Sequence, residues 1–294
     1  LSGYVRTPAR AACMADINAD PSVRMVIVPH YYHFPEAALL RKPVWLYLPD
    51  FIPHFFPDDY SDCRAVRNAS VGKTLARKAA RVLTNSRYTR DYLPETALRV
   101  PAERIRVLPL PLLVPADAGA AAGLDVPASP YLFYPTQNRP NKNLAFALAV
   151  LKELRRHVPA TRLVLTCRID DYGPAARALK DLELQGAVEF RRGLDDRGLQ
   201  ALYRGAAALL FTSSFEGNFP PQVFEALAAG TPVVASDIPM IREALEGAAD
   251  ALALCPPLDL AAFVTRTRET LADPGAARRR QAAALDALRA KAGD

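Results

Sequence analysis

The chain has 294 residues, 50% of them hydrophobic, with 26 Pro, 14 Gly and a formal net charge of +6. That length allows one large or two medium cores and excludes a disordered polypeptide, and no apolar run reaches the roughly 20 residues of a membrane span. No signal peptide is visible, and Cys13, Cys63, Cys167 and Cys255 lack metal or redox spacing, so reduced thiols in the cytoplasm are the expectation.

The charge is uneven. Residues 1–115 hold 16 Lys and Arg against 10 Asp and Glu, so the whole excess lies there. Arg64 to Arg90 contains no acid, while Arg64, Arg67, Lys73, Arg77, Lys78, Arg81, Arg87 and Arg90 are basic. A solvated helix face accounts for such a run. So does attraction to anionic lipid head groups or to a phosphorylated acceptor. Nothing resembles a module that reads nucleic acid.

In chain order, Met25–Val28 and Val44–Leu48 are short apolar runs closed by Pro29 and Pro49, the pattern of buried strands. Between them His30, Tyr31, Tyr32 and His33 sit in a Pro-bounded loop with no third ligand near. That argues against a metal site and offers an aromatic lining for an acceptor pocket. Val71-Gly-Lys-Thr74 is no phosphate loop, because Arg67 stands where the earlier Gly belongs and no strand precedes it. Ser86, after the apolar run that starts at Arg81, is placed to cap a helix from Tyr88 to Leu93. A strand within Arg104–Pro111 closes this region. Pro109–Pro130 is then rich in Pro, Ala and Gly and nearly uncharged, as interdomain linkers are. The domains therefore read as 1–113 and 130–294, with a linker at 114–129.

The second domain opens with a strand at Tyr131–Tyr134, a polar loop at Pro135–Asn143 and a helix from Leu144 to His157. Strands follow at Thr161–Thr166, Ala187–Phe190, Ala206–Phe211 and Pro232–Ala235. Helices are expected over Asp195–Arg204 and Val223–Ala229, the latter entered through Pro220 and Pro221 and stopped by Gly230. Leu258 to the end reads as helices, with Ala276–Lys291 an amphipathic surface helix. Strands alternating with helices predict an α/β fold with parallel sheets covered on both faces and ligands at the carboxyl ends of strands.

Two groups of residues at such ends can bind. Arg139 and Lys142 precede a helix N-terminus, a suitable clamp for a diphosphate, although loop solubility also explains them. Glu216 and Glu225 flank a helix start and can each accept hydroxyl hydrogen bonds from a diol; Glu216 can equally be a cap and Glu225 a solvated helix residue. Gly217, Asn218 and Phe219 can present N–H groups there.

The stretch from Phe211 to Ala235, continued by Val233-Val-Ala-Ser-Asp-Ile-Pro-Met-Ile-Arg-Glu243, resembles the donor-site signature of the group 1 retaining glycosyltransferases. The resemblance implies the GT-B fold: two Rossmann-like parallel-sheet domains facing a cleft, here with the N-terminal one incomplete. It implies that Glu216 contacts the transferred sugar, Glu225 the ribose, and Arg139 and Lys142 the donor diphosphate. Arg191-Arg-Gly193 falls where the family seats the nucleotide base. Departures are the nine-residue spacing of the two Glu, where eight is commonest, Asn138 and Cys167-Arg168 in place of Gly, and Pro49 in place of a His, with His54 nearby. The family's opening Gly-rich loop and closing crossover helix are not visible, as expected of a fragment. The implied activity is transfer of a hexose from a nucleoside-diphosphate sugar to a hydroxyl of a saccharide or lipid-linked glycan, with retention. No cofactor besides the donor is implied. No metal is expected either, since no Asp-x-Asp lies near the loop. The setting would be cytoplasmic, with peripheral contact to anionic membrane through Arg64–Arg90. The competing readings are a non-catalytic nucleotide-sugar-binding protein and an epimerase or phosphorylase on the same fold.

Overall fold

The structure is a computed structural model that describes residues 8–31, 34–109, 126–127 and 130–293. It divides into unit 1, Leu1–Leu110, and unit 2, Pro111–Asp294. Tyr32, His33 and all of the expected linker but Val126 and Pro127 lie outside the described residues.

Unit 1 contains helix α1 (Pro8–Ala19), strands β1 (Val26–Val28) and β2 (Val44–Tyr47), helix α2 (Cys63–Lys78), strand β3 (Arg81–Thr84), helix α3 (Arg87–Tyr92) and strand β4 (Ile105–Val107). Its strands are parallel and lie in the order β1-β2-β3-β4, with Val26 opposite Val44, Trp45 opposite Arg81 and Val82 opposite Ile105. Leu40, Leu46, Leu48, Leu75, Val82 and Leu93 fill the core beneath them. Asp62 caps α2 by accepting from the Ala65 amide (2.6 Å), and Ser86 caps α3 by accepting from the Thr89 amide (3.0 Å). Val71-Gly-Lys-Thr74 lies inside α2, and a Cβ on Gly72 would stand 2.6 Å from the Tyr31 ring, so the small residue serves packing. β1 forms an open edge on which Ile27 is 56% exposed.

Unit 2 contains β5 (Tyr131–Tyr134), α4 (Leu144–Leu154), β6 (Arg162–Leu165), α5 (Pro174–Asp181), β7 (Val188–Phe190), α6 (Asp196–Gly205), β8 (Ala208–Phe211), α7 (Pro221–Ala228), β9 (Val233–Ser236), α8 (Pro239–Leu245), β10 (Ala253–Cys255), α9 (Leu260–Ala272) and α10 (Pro274–Gly293). The strands are again parallel, in the order β10-β9-β8-β5-β6-β7. Every residue of β5, β8 and β9 is buried, which is why these strands read as unbroken apolar runs in the sequence. The chain winds outward from β5 to β7, crosses back to β8 beside β5, and winds outward the other way. That reversal opens a crevice at the carboxyl ends of β5 and β8.

Local chemistry sets the ends of these elements. Gly230 has φ 73° after α7, the Thr231 amide reaches back to the Ala226 carbonyl (2.8 Å) and the Gly230 amide to that of Leu227 (3.1 Å). This satisfies the last carbonyls of α7 and turns the chain into β9. Ala277, Gln281, Ala284 and Leu288 form the buried stripe of α10. Gln281 accepts from the Val233 amide (3.1 Å) and donates to the Thr231 carbonyl (2.8 Å), binding α10 to the start of β9.

Candidate functional site

The loop after β5 and the loop after β8 are tied to one another by backbone and amide hydrogen bonds. Asn141 is 1% exposed; its Nδ2 donates to the Phe215 carbonyl (2.9 Å), and its own carbonyl accepts from the Ser214 amide (2.8 Å) and Ser213 Oγ (2.9 Å). Tyr134 Oη and Thr212 Oγ1 both donate to the Lys142 carbonyl, at 2.9 and 3.2 Å. Asn143, at φ 54°, takes the left-handed turn that Asn tolerates and leads into α4. The polar loop thus has little freedom.

That frame sets Lys142 against Glu216. The two side chains, 12% and 13% exposed, form an ion pair and a short hydrogen bond, and Lys142 Nζ lies 5.9 Å from the centre of the Phe211 ring. Desolvation offsets much of the attraction in so enclosed a pair. The arrangement holds one cation and one carboxylate at the crevice, each able to exchange its partner for a ligand.

A cleft of about 530 Å³ lies beside the pair, lined by Arg139, Lys142, Arg191, Gln222 and Glu225 among others. Arg139 is exposed and has no ion-pair partner among the described residues. Arg191 is ion-paired to Glu189, which lies 3.3 Å from Arg162, so its charge is compensated. Its backbone amide is taken by the Leu165 carbonyl (2.8 Å). Glu225 reaches the cleft from α7, and its Oε2 accepts a hydrogen bond from Tyr203 Oη at 2.5 Å. Burial, and after it the Glu225 charge, hold the Tyr203 phenol far above its ordinary range, so it remains a donor.

Other expected residues lie apart from the cleft lining. Gly217, Asn218 and Phe219 belong to the loop that precedes α7. The helix itself starts at Pro221 after Pro220, so its first N–H is that of Gln222, and the Val223 amide donates to the Pro220 carbonyl (3.1 Å). Cys167 and Arg168 line a neighbouring depression with Asn138, whose amide donates to Asp170 Oδ2 (3.0 Å). Within unit 1, Thr84 Oγ1 donates to the Pro49 carbonyl (3.4 Å), and His54 lies parallel to the Tyr92 ring with centroids 6.2 Å apart. Arg64, Arg67, Arg77 and Lys78 are exposed along α2. Among the described residues no group of three His, Cys, Asp or Glu is arranged for a metal ion, and no helix is long and apolar enough to cross a membrane.

Residues 129–273 match the model of the family described as glycosyl transferases group 1. Unit 2 is a group 1 glycosyltransferase domain. The chain is 33% identical over 147 residues to a glycogen synthase of Mycobacterium tuberculosis, a stretch that covers 50% of this chain and 35% of the synthase. It is 34% identical over 112 residues to the O-antigen chain mannosyltransferase RfbU of Salmonella typhimurium, covering 37% of this chain and 30% of that protein. The chain therefore matches about a third of these relatives' length. Among solved structures, the sucrose-phosphate synthase of Thermosynechococcus elongatus superposes with a TM-score of 0.72 at 20% identity, over 96% of this chain and 73% of that one. Anabaena HepE in complex with UDP-glucose gives 0.69 at 16% identity, over 98% and 78%. At these identities the likeness is one of fold, and the fold is GT-B.

Sequence reasoning singled out four residues of the group 1 domain, of which Arg139, Lys142 and Glu225 line one cleft and Glu216 is paired to Lys142. It missed three supports. Asn141 fell in the polar loop, Glu189 in a strand and Tyr203 in the helix expected over Asp195–Arg204, and none was singled out. Glu189 and Arg191, two apart on a strand and its exit, carry a signal that the period of a strand makes visible. Tyr203 and Glu225 are 22 residues apart and carry none.

Proposed function

We propose that the chain transfers a hexose from a nucleoside-diphosphate sugar to a hydroxyl of a saccharide or lipid-linked glycan, with retention at the anomeric carbon and without a metal ion. One observation carries this reading: the cleft at the strand-order reversal of a group 1 domain gathers Arg139, Lys142 and Glu225, with Glu216 held against Lys142. The relatives' names support a glycosyl transfer, and HepE was solved with UDP-glucose.

In this mechanism negative charge grows on the departing diphosphate as its bond to the sugar breaks. Arg139 and Lys142 stabilise that charge as cations already in place. Lys142 exchanges Glu216 for a phosphate oxygen, and the released Glu216 accepts hydrogen bonds from hexose hydroxyls. Glu225 accepts from the ribose diol. The work of both carboxylates is orientation. Arg191 and Gly193, which line the same cleft, would border the base, and the loop Gly217–Phe219 would add contacts from outside that lining. The exposed cations of α2 are the surface we assign to an anionic acceptor or to membrane head groups.

Calorimetric titration with UDP, GDP, ADP and CDP tests the reading. One nucleotide should bind saturably, and Glu225→Ala should weaken it about tenfold or more, roughly 1.4 kcal/mol. Failure of all four to bind would overturn it. Incubation with the matching sugar nucleotide and nuclear magnetic resonance of the product would then decide between retention and inversion.

A further inference from the structure

We propose that Tyr203 is a positioning residue for ribose recognition, fixing Glu225 through Oε2 so that Oε1 is left to accept from the vicinal hydroxyls of a nucleotide. The inference rests on the donor-site reading of the cleft and extends it to a residue that does not touch the ligand.

Everything around Tyr203 restricts its movement. It is 0% exposed, and the Phe133 ring meets it edge-on with centroids 5.0 Å apart. Its backbone carbonyl accepts from Thr231 Oγ1 (2.6 Å), and the carbonyl of Leu202 before it accepts from Tyr131 Oη (2.7 Å). Just beyond, a Cβ on Gly205 would stand 2.6 Å from Tyr131 Oη, so the end of α6 lies close against β5. The phenol is therefore presented from a fixed point. Its bond to Glu225 Oε2, at 2.5 Å, has the length of a hydroxyl donating to a charged carboxylate. Because the phenol is held far above its ordinary range, it stays protonated and donates.

A glutamate has three side-chain torsions, and a free one loses that freedom when it binds. Here the loss has occurred before any ligand arrives. Glu225 Oε1 has no hydrogen bond among the described residues, and Glu225 lines the cleft. Glu225 is half-buried, and a nucleotide seated over it without the hydroxyl would leave this acceptor covered and without a donor. The locked glutamate should therefore read the 2′-hydroxyl as a requirement rather than a preference.

The experiment compares each of UDP, GDP, ADP and CDP with its 2′-deoxy form on the whole chain, on Tyr203→Phe, on Glu225→Gln and on the double variant. The unsubstituted chain should prefer the best ribonucleotide over its 2′-deoxy form by tenfold or more, and Glu225→Gln should abolish that preference. Tyr203→Phe keeps the ring and removes one oxygen. It should weaken the ribonucleotide about tenfold, change the 2′-deoxy form less than twofold, and add nothing in the Glu225→Gln background. Parallel loss of both nucleotides, or an equal further loss in the double variant, would show a merely structural tyrosine and overturn the proposal. If Glu225→Gln removes the preference while Tyr203→Phe retains it, this inference falls and the donor site stands. If no nucleotide binds, both fall.

Discussion

The two sheets are made of the same material and differ in winding. Both are wholly parallel with helical connections between strands, although β5, β8 and β9 are buried throughout and β1, β2 and β4 only in part. In unit 1 the strands follow one another across the sheet, and the order has no reversal among the described residues. In unit 2 the order reverses between β5 and β8. The crevice at this reversal is lined by Arg139, Lys142 and Glu225, with Glu216 paired to Lys142. A site thus arises from a topological choice, while the charged residues supply its chemistry. The sheet edges differ as well: Ile27 on edge strand β1 is 56% exposed, whereas Cys255 on edge strand β10 is 0% exposed.

Perturbations should separate these regions in order of size. Phe211 is fully buried, edge-on to Tyr134, and forms the floor beneath Lys142. Phe211→Ala should cost about 3–5 kcal/mol in chemical denaturation and eliminate nucleotide binding, because the cavity opens under the site. A stable variant that still binds would break the link between the reversal and the site.

Next in size is the ion pair. Lys142→Met leaves Glu216 enclosed without its cation and should destabilise by about 2–3 kcal/mol; adding Glu216→Gln should restore most of that. Equal losses in the single and double variants would mean that the stranded Glu216 charge is not their source.

The buried edge of unit 2 should respond to pH. Burial pushes the Cys255 thiol up to about 12 and the Cys167 thiol up to about 11, both from an ordinary value of 9.0. A folded-state value raised in this way favours the neutral thiol. Its contribution to stability is intact below about pH 9 and is lost as pH rises toward about 12. Cys255→Ala should therefore flatten part of the alkaline fall in stability. Alkylation at pH 8, followed by mass spectrometry, should modify exposed Cys13 before Cys167, and Cys255 last.

The smallest effect belongs to the open edge. Ile27→Lys should change stability by no more than about 0.5 kcal/mol, as exposed substitutions do. A larger loss would show that β1 is covered in solution.

Much of this organisation is legible in the sequence because local chemistry determines it. Tyr131–Tyr134 reads as a strand from its unbroken apolar run, Ser86 as a cap from its place before a helix, and Gly230 as a stop from its position after one. Strand order is different. Nothing in a single strand says that β8 pairs with β5 rather than β7, since the choice is made by long-range packing. α1 and β10 also went unread; β10 is only three residues long, too short to show a period. The four crevice residues were legible through resemblance to a family, and their partners were not. Lys142 with Glu216, and Tyr203 with Glu225, are separated by 74 and 22 residues.

The match to the group 1 family ends at residue 273, yet Gln281 on α10 holds the first residues of β9 through both ends of its amide. Its oxygen takes the Val233 amide and its nitrogen serves the Thr231 carbonyl, so this one side chain imitates a neighbouring backbone. A fragment cut at the family boundary would keep every residue of the crevice and lose that clasp. The strand beside β8 would then begin with an unfastened end, and the border drawn by homology would fall inside the folding unit.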